Sequence, residues 1–207
     1  TVIFPEKMWP RQNVTNGSVM MYGAKMSKSF GNIIPLREAL TMFGADPLRL
    51  SVLATAELLQ DADFSPTLAR SMRERLERLY KFVAEVTKTQ GGREGRSEKS
   101  LTVVDRRMLS RLQEHIKVAT EAMDKLAVRK AIHSALYELD QDLQWYQRRI
   151  ADEKEEAKRK DAITHVFNEV LDAQTRMLAP VTPHICEELW EMKGEKGFVS
   201  LTAWPAT

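Results

Sequence analysis

Long apolar stripes, in which hydrophobic residues recur every three or four positions, constrain the fold of this chain more than any other feature. They run from Leu68 to Val86, from Met108 to Met123, from Ile132 to Tyr146 and from Ile163 to Met177. This spacing places the apolar side chains on one face of an α-helix. A helix with one apolar face buries it against another element, so the stripes predict long amphipathic helices packed against each other.

Start and stop signals divide the stripes into separate helices. Ser65-Pro66 and Thr182-Pro183 each combine an N-cap residue with a proline suited to the first helical turn. Glycines interrupt the pattern at 91–96, and we expect a flexible loop over 91–100. The first predicted helix of the bundle begins near Ser65, and the second begins at Thr102 or Asp105. The third spans Val128 to Ile150, and the fourth runs from about Glu155 to Pro180. The last follows Thr182-Pro183 and ends near Met192. Long helices joined by short loops predict a mainly α protein, an antiparallel helix bundle.

The residues before the bundle carry shorter signals. Asn16-Gly17 is a hairpin turn signal, so we expect Val14 to pair with the segment 19–22. The hairpin would lead directly into a lysine-rich loop. Pro35 suits the first turn of a helix that runs to about Phe43.

A second short helix is expected after Gly44, which suits a helix stop. Asp46-Pro47 predicts its start, with Asp46 as the N-cap and Pro47 as the first helical residue. We therefore divide the chain into residues 1–64 and the helical bundle of residues 65–207. The bundle has long apolar stripes and short loops, so we expect it to fold independently.

The lysine-rich loop is the run Lys25-Met26-Ser27-Lys28-Ser29, followed by Gly31-Asn32. Lysine supplies a compact, mobile positive charge that suits phosphate oxygens, and serine hydroxyls add hydrogen bonds to an anion. On residue types alone, a run of this kind is more often a solvated basic loop than a phosphate site.

A second candidate site is Arg148-Arg149, which follows Trp145-Tyr146. Aromatic and arginine side chains together stack on nucleotide bases and hold phosphates. The alternative is a solvated helix end whose charges complement the helix dipole, and residue types leave both interpretations open. The net charge is only +2, so any nucleic-acid surface must be a local patch.

Several classes of site find no support in the sequence. The single cysteine, Cys186, permits no intrachain disulfide, and we expect both His184 and Cys186 to pack in the interior. None of the histidines, including His165 with Glu169 four residues later, has convincing metal-ligand spacing, and no serine–histidine–acid arrangement stands out. No apolar run approaches the ~18 residues of a membrane-spanning helix.

Four separated segments resemble the class Ia aminoacyl-tRNA synthetases. Residues 16–32 contain the KMSKS signature of that class, and the stretch from Gly44 to Arg49 is similar to its YGAD-x-x-R segment. Residues 178–190 resemble the LAPxxPHxxEELW segment of the anticodon-binding domain in the leucine, isoleucine, valine and methionine enzymes. Trp204-Pro205 resembles the end of that domain.

Shorter motifs resemble the leucine enzymes of archaea and the eukaryotic cytosol. They are Phe4-Pro5-Glu6-Lys7 with Trp9-Pro10-Arg11, Asp61-Ala62-Asp63-Phe64, and Asp142-Leu143 with Trp145-Tyr146 and Arg148-Arg149. Two alternatives stay open. One is a fragment of a valine, isoleucine or methionine enzyme, and the other is a helical RNA-binding module without catalysis.

The resemblance implies a domain plan. Residues 1–64 would be the C-terminal edge of a Rossmann-like catalytic domain, with the KMSKS loop and connecting helices, and residues 65–207 would be the anticodon-binding domain. The HIGH motif and the amino-acid pocket of the family are not found in this sequence. We therefore expect this chain alone to be inactive, and the full-length protein to be a leucine–tRNA ligase.

The resemblance also implies roles for particular residues. The expected catalytic residues are Lys28 and Lys25, and the expected ATP-binding residues are Lys25, Met26, Ser27, Lys28, Ser29, Gly31 and Asn32. Arg148 and Arg149 are the expected contacts to tRNA(Leu). The expected substrates are ATP and leucine, with Mg²⁺ bound through the ATP phosphates and no protein metal site. We expect a cytoplasmic, monomeric protein without a membrane segment.

Overall fold

A computed structural model describes residues 5–11, 14–90, 101–151 and 156–206. The predicted loop at 91–100 lies outside these residues. The helices are α1 (Leu36–Phe43), α2 (Ala45–Leu53), α3 (Pro66–Gln90), α4 (Val103–Asp124), α5 (Val128–Ile132), α6 (Leu139–Ala151), α7 (Glu156–Leu178) and α8 (Pro183–Met192). The strands are β1 (Val19–Met21), β2 (Ala24–Lys25) and β3 (Ala62–Asp63), and short 3₁₀ turns cover Glu6–Met8 and Val199–Leu201.

Helices α3 to α8 form the predicted bundle around one large hydrophobic core. Leu112 of α4, Leu139 of α6 and Leu171 of α7 are buried at its centre. The indole nitrogen of Trp204 donates to Thr120 Oγ1 at 2.7 Å and fixes the C-terminal segment on α4. The expected fold class, a mainly α helix bundle, is confirmed.

The third predicted helix is present but not uniform. Between α5 and α6 the chain makes a π-helical turn, His133–Glu138, so the two helices form one continuous rod. Polar side chains from neighbouring helices contact this turn. Gln174 Nε2 donates to the carbonyl of Ala135 at 3.0 Å, and Ser134 Oγ lies 3.1 Å from His115 Nδ1. A simple apolar period does not reveal such a turn.

The expected pairing of Val14 with residues 19–22 around Asn16-Gly17 is wrong, because β1 pairs with β2 in a hairpin whose turn is at Tyr22-Gly23. Both turn residues have positive φ, 56° and 75°, and Met21 pairs with Ala24 across the two-residue turn. This conformation matches the right-handed twist of the flanking strands. Gly17 instead allows a close approach of two chain segments, because a Cβ there would lie 2.3 Å from the carbonyl oxygen of Gln60.

Strand β1 also pairs in parallel with β3, which makes a three-stranded sheet in the order β2-β1-β3. A second, smaller core lies beside this sheet and contains Met21, Phe43 and Phe64, with Ala69 of α3. Leu50 of α2 belongs to the large core instead, with no exposed surface. The two cores therefore meet at α2 and α3.

Helix α2 begins two residues earlier than its propensity signals suggest, at Ala45 and not at Pro47. Gly44 ends α1 and is also the N-cap of α2, with φ 87°, which a residue with a Cβ adopts only with strain. Asp46 is consequently inside the first turn of α2, and the prediction that it caps this helix is wrong. Its carboxylate is only 5% exposed and faces another helix.

Candidate functional site

The lysine-rich loop is held in shape by the side chain of Asn32. Its Nδ2 donates to the carbonyl of Lys25 at 3.2 Å, and its Oδ1 accepts from the backbone N–H of Ser27 at 2.9 Å. The backbone N–H of Met26 also donates to Val19 O at 3.0 Å. Asn32 therefore joins the two ends of the loop, and the strand pairing attaches them to the sheet.

The residues of this loop divide into two groups by orientation. Met26 is half-buried and packs against the small core, whereas Lys25, Lys28 and Ser29 are exposed. The hydroxyls of Ser27 and Ser29 lie 2.7 Å apart. Within the described ranges, the ammonium groups of Lys25 and Lys28 form no ion pair. The loop therefore presents two positive charges and adjacent hydroxyl donors to solvent, an arrangement suited to an anion with several oxygens.

Two predicted residues of this site contribute to the shape of the loop. Met26 anchors it on the small core, and Asn32 closes its base. Gly31 has φ 66° and lies at the end of two overlapping turns, in which Phe30 N donates to Ser27 O and Gly31 N donates to Lys28 O. The side chains of Lys25, Lys28 and Ser29 are exposed to solvent.

Arg148 and Arg149 are exposed near the end of α6, next to the half-buried ring of Trp145. The guanidinium carbon of Arg149 lies 5.7 Å from the centre of this ring, and that of Arg107 from α4 lies 4.7 Å from it. Arginine over the face of an indole is attracted by the ring quadrupole. We call Arg107, Trp145, Arg148 and Arg149 the arginine–tryptophan surface. Arg107 was missed in the sequence because its contact with Trp145 connects two helices.

Tyr146, in contrast, does not belong to that surface. Its ring is fully buried, and its hydroxyl donates to Asp105 Oδ1 at 2.7 Å. Asp105 also accepts from Thr102 and Arg159, the latter at 2.7 Å. Burial by itself would raise the pKa of Asp105, but the hydrogen bonds from Thr102, Tyr146 and Arg159 outweigh burial and hold this pKa below its usual range. The group is a buried ion pair that holds α4, α6 and α7 together.

Two side chains of α2 contact the start of α8 and the turn that precedes it. Asp46 Oδ1 accepts from His184 Nδ1 at 2.8 Å, and Asp46 Oδ2 accepts from the backbone N–H of Ile185 at 2.6 Å. Arg49 donates to the carbonyls of Val181 and Pro180, at 2.8 and 3.0 Å. The expectation that His184 packs in the interior is wrong, since its side chain is 71% exposed and pairs with Asp46. We call these contacts the α2 clamp.

The other residue expected to pack in the interior, Cys186, is fully buried in α8, as predicted. Burial raises the pKa of its thiol to about 12. The reactive thiolate is therefore scarce at neutral pH, and a nucleophilic or redox role for Cys186 has no support.

A serine–histidine–aspartate arrangement is present that the sequence did not indicate. His115 Nδ1 lies 3.1 Å from Ser134 Oγ, and His115 Nε2 lies 2.8 Å from Asp142 Oδ2. The serine is 1% exposed and the histidine 2% exposed, so no substrate reaches the hydroxyl. These residues join α4 to the π turn and α6 and form no hydrolase site.

Among the residues with described positions, no three His, Cys, Asp or Glu side chains are grouped so that they could hold a metal ion. No helix in the same ranges has both the length and the apolar character needed to span a membrane.

Two family models match separate parts of the chain. Residues 105–207 match the model of the anticodon-binding domain of tRNA ligase. Residues 5–79 match the model of class I tRNA synthetases (M). The first match covers most of the bundle with the arginine–tryptophan surface, and the second covers the lysine-rich loop and α2.

Curated relatives match almost the entire chain. A leucine–tRNA ligase of Methanothrix thermoacetophila is 41% identical over 203 residues, and that of Pyrococcus furiosus is 39% identical over 203 residues. Each alignment covers 98% of this chain and 20% of the relative. The chain therefore spans about one fifth of the length of these proteins.

A solved structure supports the same fold. The agnB2 LeuRS of Agrobacterium radiobacter K84, crystallised in a ternary complex with tRNA and LeuAMS, superposes with a TM-score of 0.72. The two proteins are 25% identical, and the match covers 91% of this chain and 23% of that one.

Proposed function

The chain belongs to the class I aminoacyl-tRNA synthetases, and we propose on this premise that it is part of a leucine–tRNA ligase. The full-length protein would activate leucine with ATP and transfer it to tRNA(Leu). This portion would supply the ATP loop and a docking surface for the tRNA. The observation that carries the proposal is the loop Lys25–Ser29, shaped by Asn32 so that both lysines face solvent without an acidic partner among the described residues.

The chemistry gives this loop a defined task. In the activation step the leucine carboxylate attacks the α-phosphate of ATP, and the bond to the leaving pyrophosphate breaks. Negative charge moves onto the pyrophosphate oxygens as this bond lengthens. The ammonium of Lys28 pairs with those oxygens, Lys25 assists it, and the hydroxyls of Ser27 and Ser29 orient the phosphates. A contact that strengthens as charge develops lowers the barrier and does more than bind ATP.

Magnesium would enter this site on ATP. Mg²⁺ in nucleotide sites is commonly held through substrate phosphates and few protein ligands. The loop itself offers cations and hydroxyls, which suit phosphate oxygens and not a divalent metal. The 207-residue chain contains neither the HIGH motif nor the amino-acid pocket of the family, so it would not activate leucine alone.

The arginine–tryptophan surface is the proposed tRNA contact on the bundle. Arg148 and Arg149 provide positive charge for phosphates, and the ring of Trp145 with Arg107 provides a flat face for a base. The leucine enzymes of the family generally do not depend on the anticodon bases for identity. Contacts to the RNA backbone and shape are therefore the expected mode.

The test of the ATP loop is Lys28→Ala in the full-length protein. Loss of one preorganised contact to the leaving group costs on the order of 3 kcal/mol, or about a hundredfold in rate. Leucine-dependent pyrophosphate exchange should fall by that factor. Single-turnover transfer from preformed adenylate should change much less, because the pyrophosphate has already left. Lys117→Ala, which removes an exposed lysine of α4, is the matched control and should retain exchange.

The opposite pattern would contradict the assignment of Lys28. If exchange stayed near wild type while transfer collapsed, Lys28 would act in tRNA placement. If the wild-type full-length protein exchanged pyrophosphate with valine, isoleucine or methionine in preference to leucine, the specificity would be wrong. If it exchanged with no amino acid, the alternative of a helical RNA-binding module without catalysis would stand.

The test of the docking surface is Arg149→Ala. Removing one phosphate contact should weaken tRNA binding and reduce the magnitude of its salt slope by about 1. The control is Arg129→Ala, about 30 Å away along the same helical rod, which should leave both quantities unchanged. Equal effects of the two variants would contradict a local docking surface.

A cytoplasmic, monomeric protein is also proposed. Cell fractionation would test the location, and light scattering would test the oligomeric state.

A further inference from the structure

Two of the segments that resemble the synthetases, residues 44–49 and residues 178–190, are in direct contact. They form the α2 clamp, in which α2 binds the start of α8 and the turn that precedes it. Asp46 binds the N-terminus of α8, and Arg49 binds the last carbonyls after α7. Neither the phosphate chemistry of the loop nor the tRNA contact uses these residues, so their role needs a separate explanation.

Asp46 supplies a helix cap that α8 lacks. Thr182 is the N-cap of α8, but its side chain accepts no capping hydrogen bond and its hydroxyl donates to Leu178 O instead. The carboxylate of Asp46 accepts the backbone N–H of Ile185 in its place, at 2.6 Å. A negative charge at a helix N-terminus also complements the helix dipole.

Arg49 makes the complementary contact in the turn that follows α7. Its Nε and Nη2 donate to two consecutive carbonyls, Val181 O at 2.8 Å and Pro180 O at 3.0 Å. The guanidinium group places two donors in a fixed fork, so this contact fixes both distance and orientation. A carboxylate at the first turn of α8 and a guanidinium group on the turn before it fix α2 more strictly than apolar packing alone would.

The clamp is linked to the lysine-rich loop through the small core. Phe43 at the end of α1 is buried in that core, and Met26 of the loop and Leu48 of α2 pack against it. The rings of Phe43 and Phe64 pack edge to face at 6.0 Å. A packed core transmits displacement because it has few voids, so a shift of α2 on the bundle moves the loop with it.

We propose that Asp46 and Arg49 are positioning residues that fix the ATP-loop unit on the bundle. They set the distance and angle between the catalytic centre and the tRNA that docks on the bundle. This inference rests on the proposed function. It predicts that loosening the clamp misplaces the tRNA end relative to the adenylate, without changing the loop chemistry or the docking surface.

The experiment uses the full-length protein with Asp46→Ala, Arg49→Ala and Arg49→Lys. Three quantities are measured per active site: leucine-dependent pyrophosphate exchange without tRNA, the Kd for tRNA, and the single-turnover rate of leucine transfer. The matched control is Glu187→Ala, on the same helix as the clamp turn. Glu187 accepts from the backbone N–H groups of Val199 and Ser200, a contact that lies wholly within the bundle.

The expected result is a selective loss of transfer. Both alanine variants should slow transfer by about tenfold or more, because small misplacements of reacting groups have large effects on rate. Exchange and tRNA Kd should stay within about twofold of wild type. Arg49→Lys should give an intermediate rate, because an ammonium group reaches one of the two carbonyls. Glu187→Ala should lower thermal stability and leave transfer unchanged.

Other outcomes separate the two proposals. If wild type exchanges normally but all clamp variants transfer at the wild-type rate, the positioning role is wrong and the proposed function stands. If the clamp variants lost exchange and transfer equally, the clamp would be only a stabilising contact. The same conclusion would follow if Glu187→Ala slowed transfer as much as the clamp variants do. If Asp46→Ala fails to fold, Arg49→Lys decides. If the wild-type protein exchanges with no amino acid, the proposed function itself fails.

Discussion

Replacement of Tyr146 by Phe should destabilise the bundle by about 2 kcal/mol at neutral pH. The change removes one hydroxyl, which donates to Asp105 Oδ1 at 2.7 Å in a fully buried site. A hydrogen bond to a charged partner contributes about 1.5–3 kcal/mol. The lower part of that range applies because Asp105 keeps its bonds from Thr102 and Arg159 and is not left unpaired.

The free energy of unfolding is measured by denaturation in urea and Tm by heating, and circular dichroism monitors both transitions. For a chain of this size, 1 kcal/mol corresponds to about 2–4 °C in Tm, so the variant should melt about 4–8 °C lower. Tyr137→Phe is the matched control. The Tyr137 hydroxyl donates to the sulfur of Met72 at 3.3 Å, and a thioether is a weak acceptor. Its loss should change stability by less than about 0.5 kcal/mol.

The pH dependence gives an independent check of the same contact. The folded-state pKa of Asp105 lies below its usual value, so its ionised contacts stabilise the fold above pH ~4. This stabilisation is lost as the pH falls through the folded-state pKa. Tyr146→Phe removes one of the bonds that lower this pKa. The difference between wild type and variant should therefore be largest near pH 7 and shrink as the pH falls through the folded-state pKa of Asp105.

Two results would refute this reasoning. A change of less than about 0.5 kcal/mol at pH 7 would mean that the hydroxyl contributes no more than an average surface group. A difference that stays constant as the pH falls through the folded-state pKa of Asp105 would mean that the ionised carboxylate of Asp105 is not the partner that matters.

Three further predictions concern the loop, the large core and the cysteine. Asn32→Ala in the full-length protein should slow leucine-dependent pyrophosphate exchange by about tenfold, because the base of the loop opens, while Tm changes by only a few degrees. Leu50→Ala should lower the free energy of unfolding by about 2–5 kcal/mol in urea, whereas Leu50→Met should cost less than about 1.5 kcal/mol. Cys186 should resist iodoacetamide at pH 8 in the folded chain and react in urea, because burial raises its pKa to about 12.

The bundle could be predicted because its helices are long and amphipathic. Over many turns, the period of apolar residues gives a repeated signal that single exceptions do not hide. Tyr146 illustrates the point. Its place on the third stripe predicts burial, whereas its neighbour Trp145 is turned away by about 100° on the helix and reaches the surface.

Short elements were predicted less well because their local signals serve tertiary contacts. Asn16-Gly17 has the composition of a hairpin turn, but Gly17 is needed where the chain passes close to Gln60. The actual turn has Tyr22 at positive φ, a conformation that its residue type does not suggest. The strands that it connects are only two or three residues long, so no period could correct the prediction.

The candidate site shows a similar division. The ammonium and hydroxyl groups of Lys25–Ser29 are compatible with phosphate, but residue types alone favour a solvated loop, and the resemblance to the synthetases points to phosphate chemistry. The inward orientation of Met26 and the closing role of Asn32 depend on the sheet and the small core. Arg107 joins Trp145 only because α4 and α6 pack side by side. Residue types thus indicate what a site can bind, and packing decides which residues face the ligand.

Both segments of the α2 clamp resemble synthetase motifs in the sequence, but the sequence does not show that they contact each other. Local propensity assigns Asp46 to the start of its own helix, because an aspartate before a proline is a common helix start. In the fold, the same carboxylate caps a helix that begins 137 residues later, at Pro183, and reaches His184 across a sequence separation of 138. Helix ends carry unpaired backbone groups wherever they occur, so a charged residue satisfies whichever end the fold brings to it. Polar contacts of this kind join segments that are distant in sequence, and reasoning from local signals assigns their residues to the nearest helix.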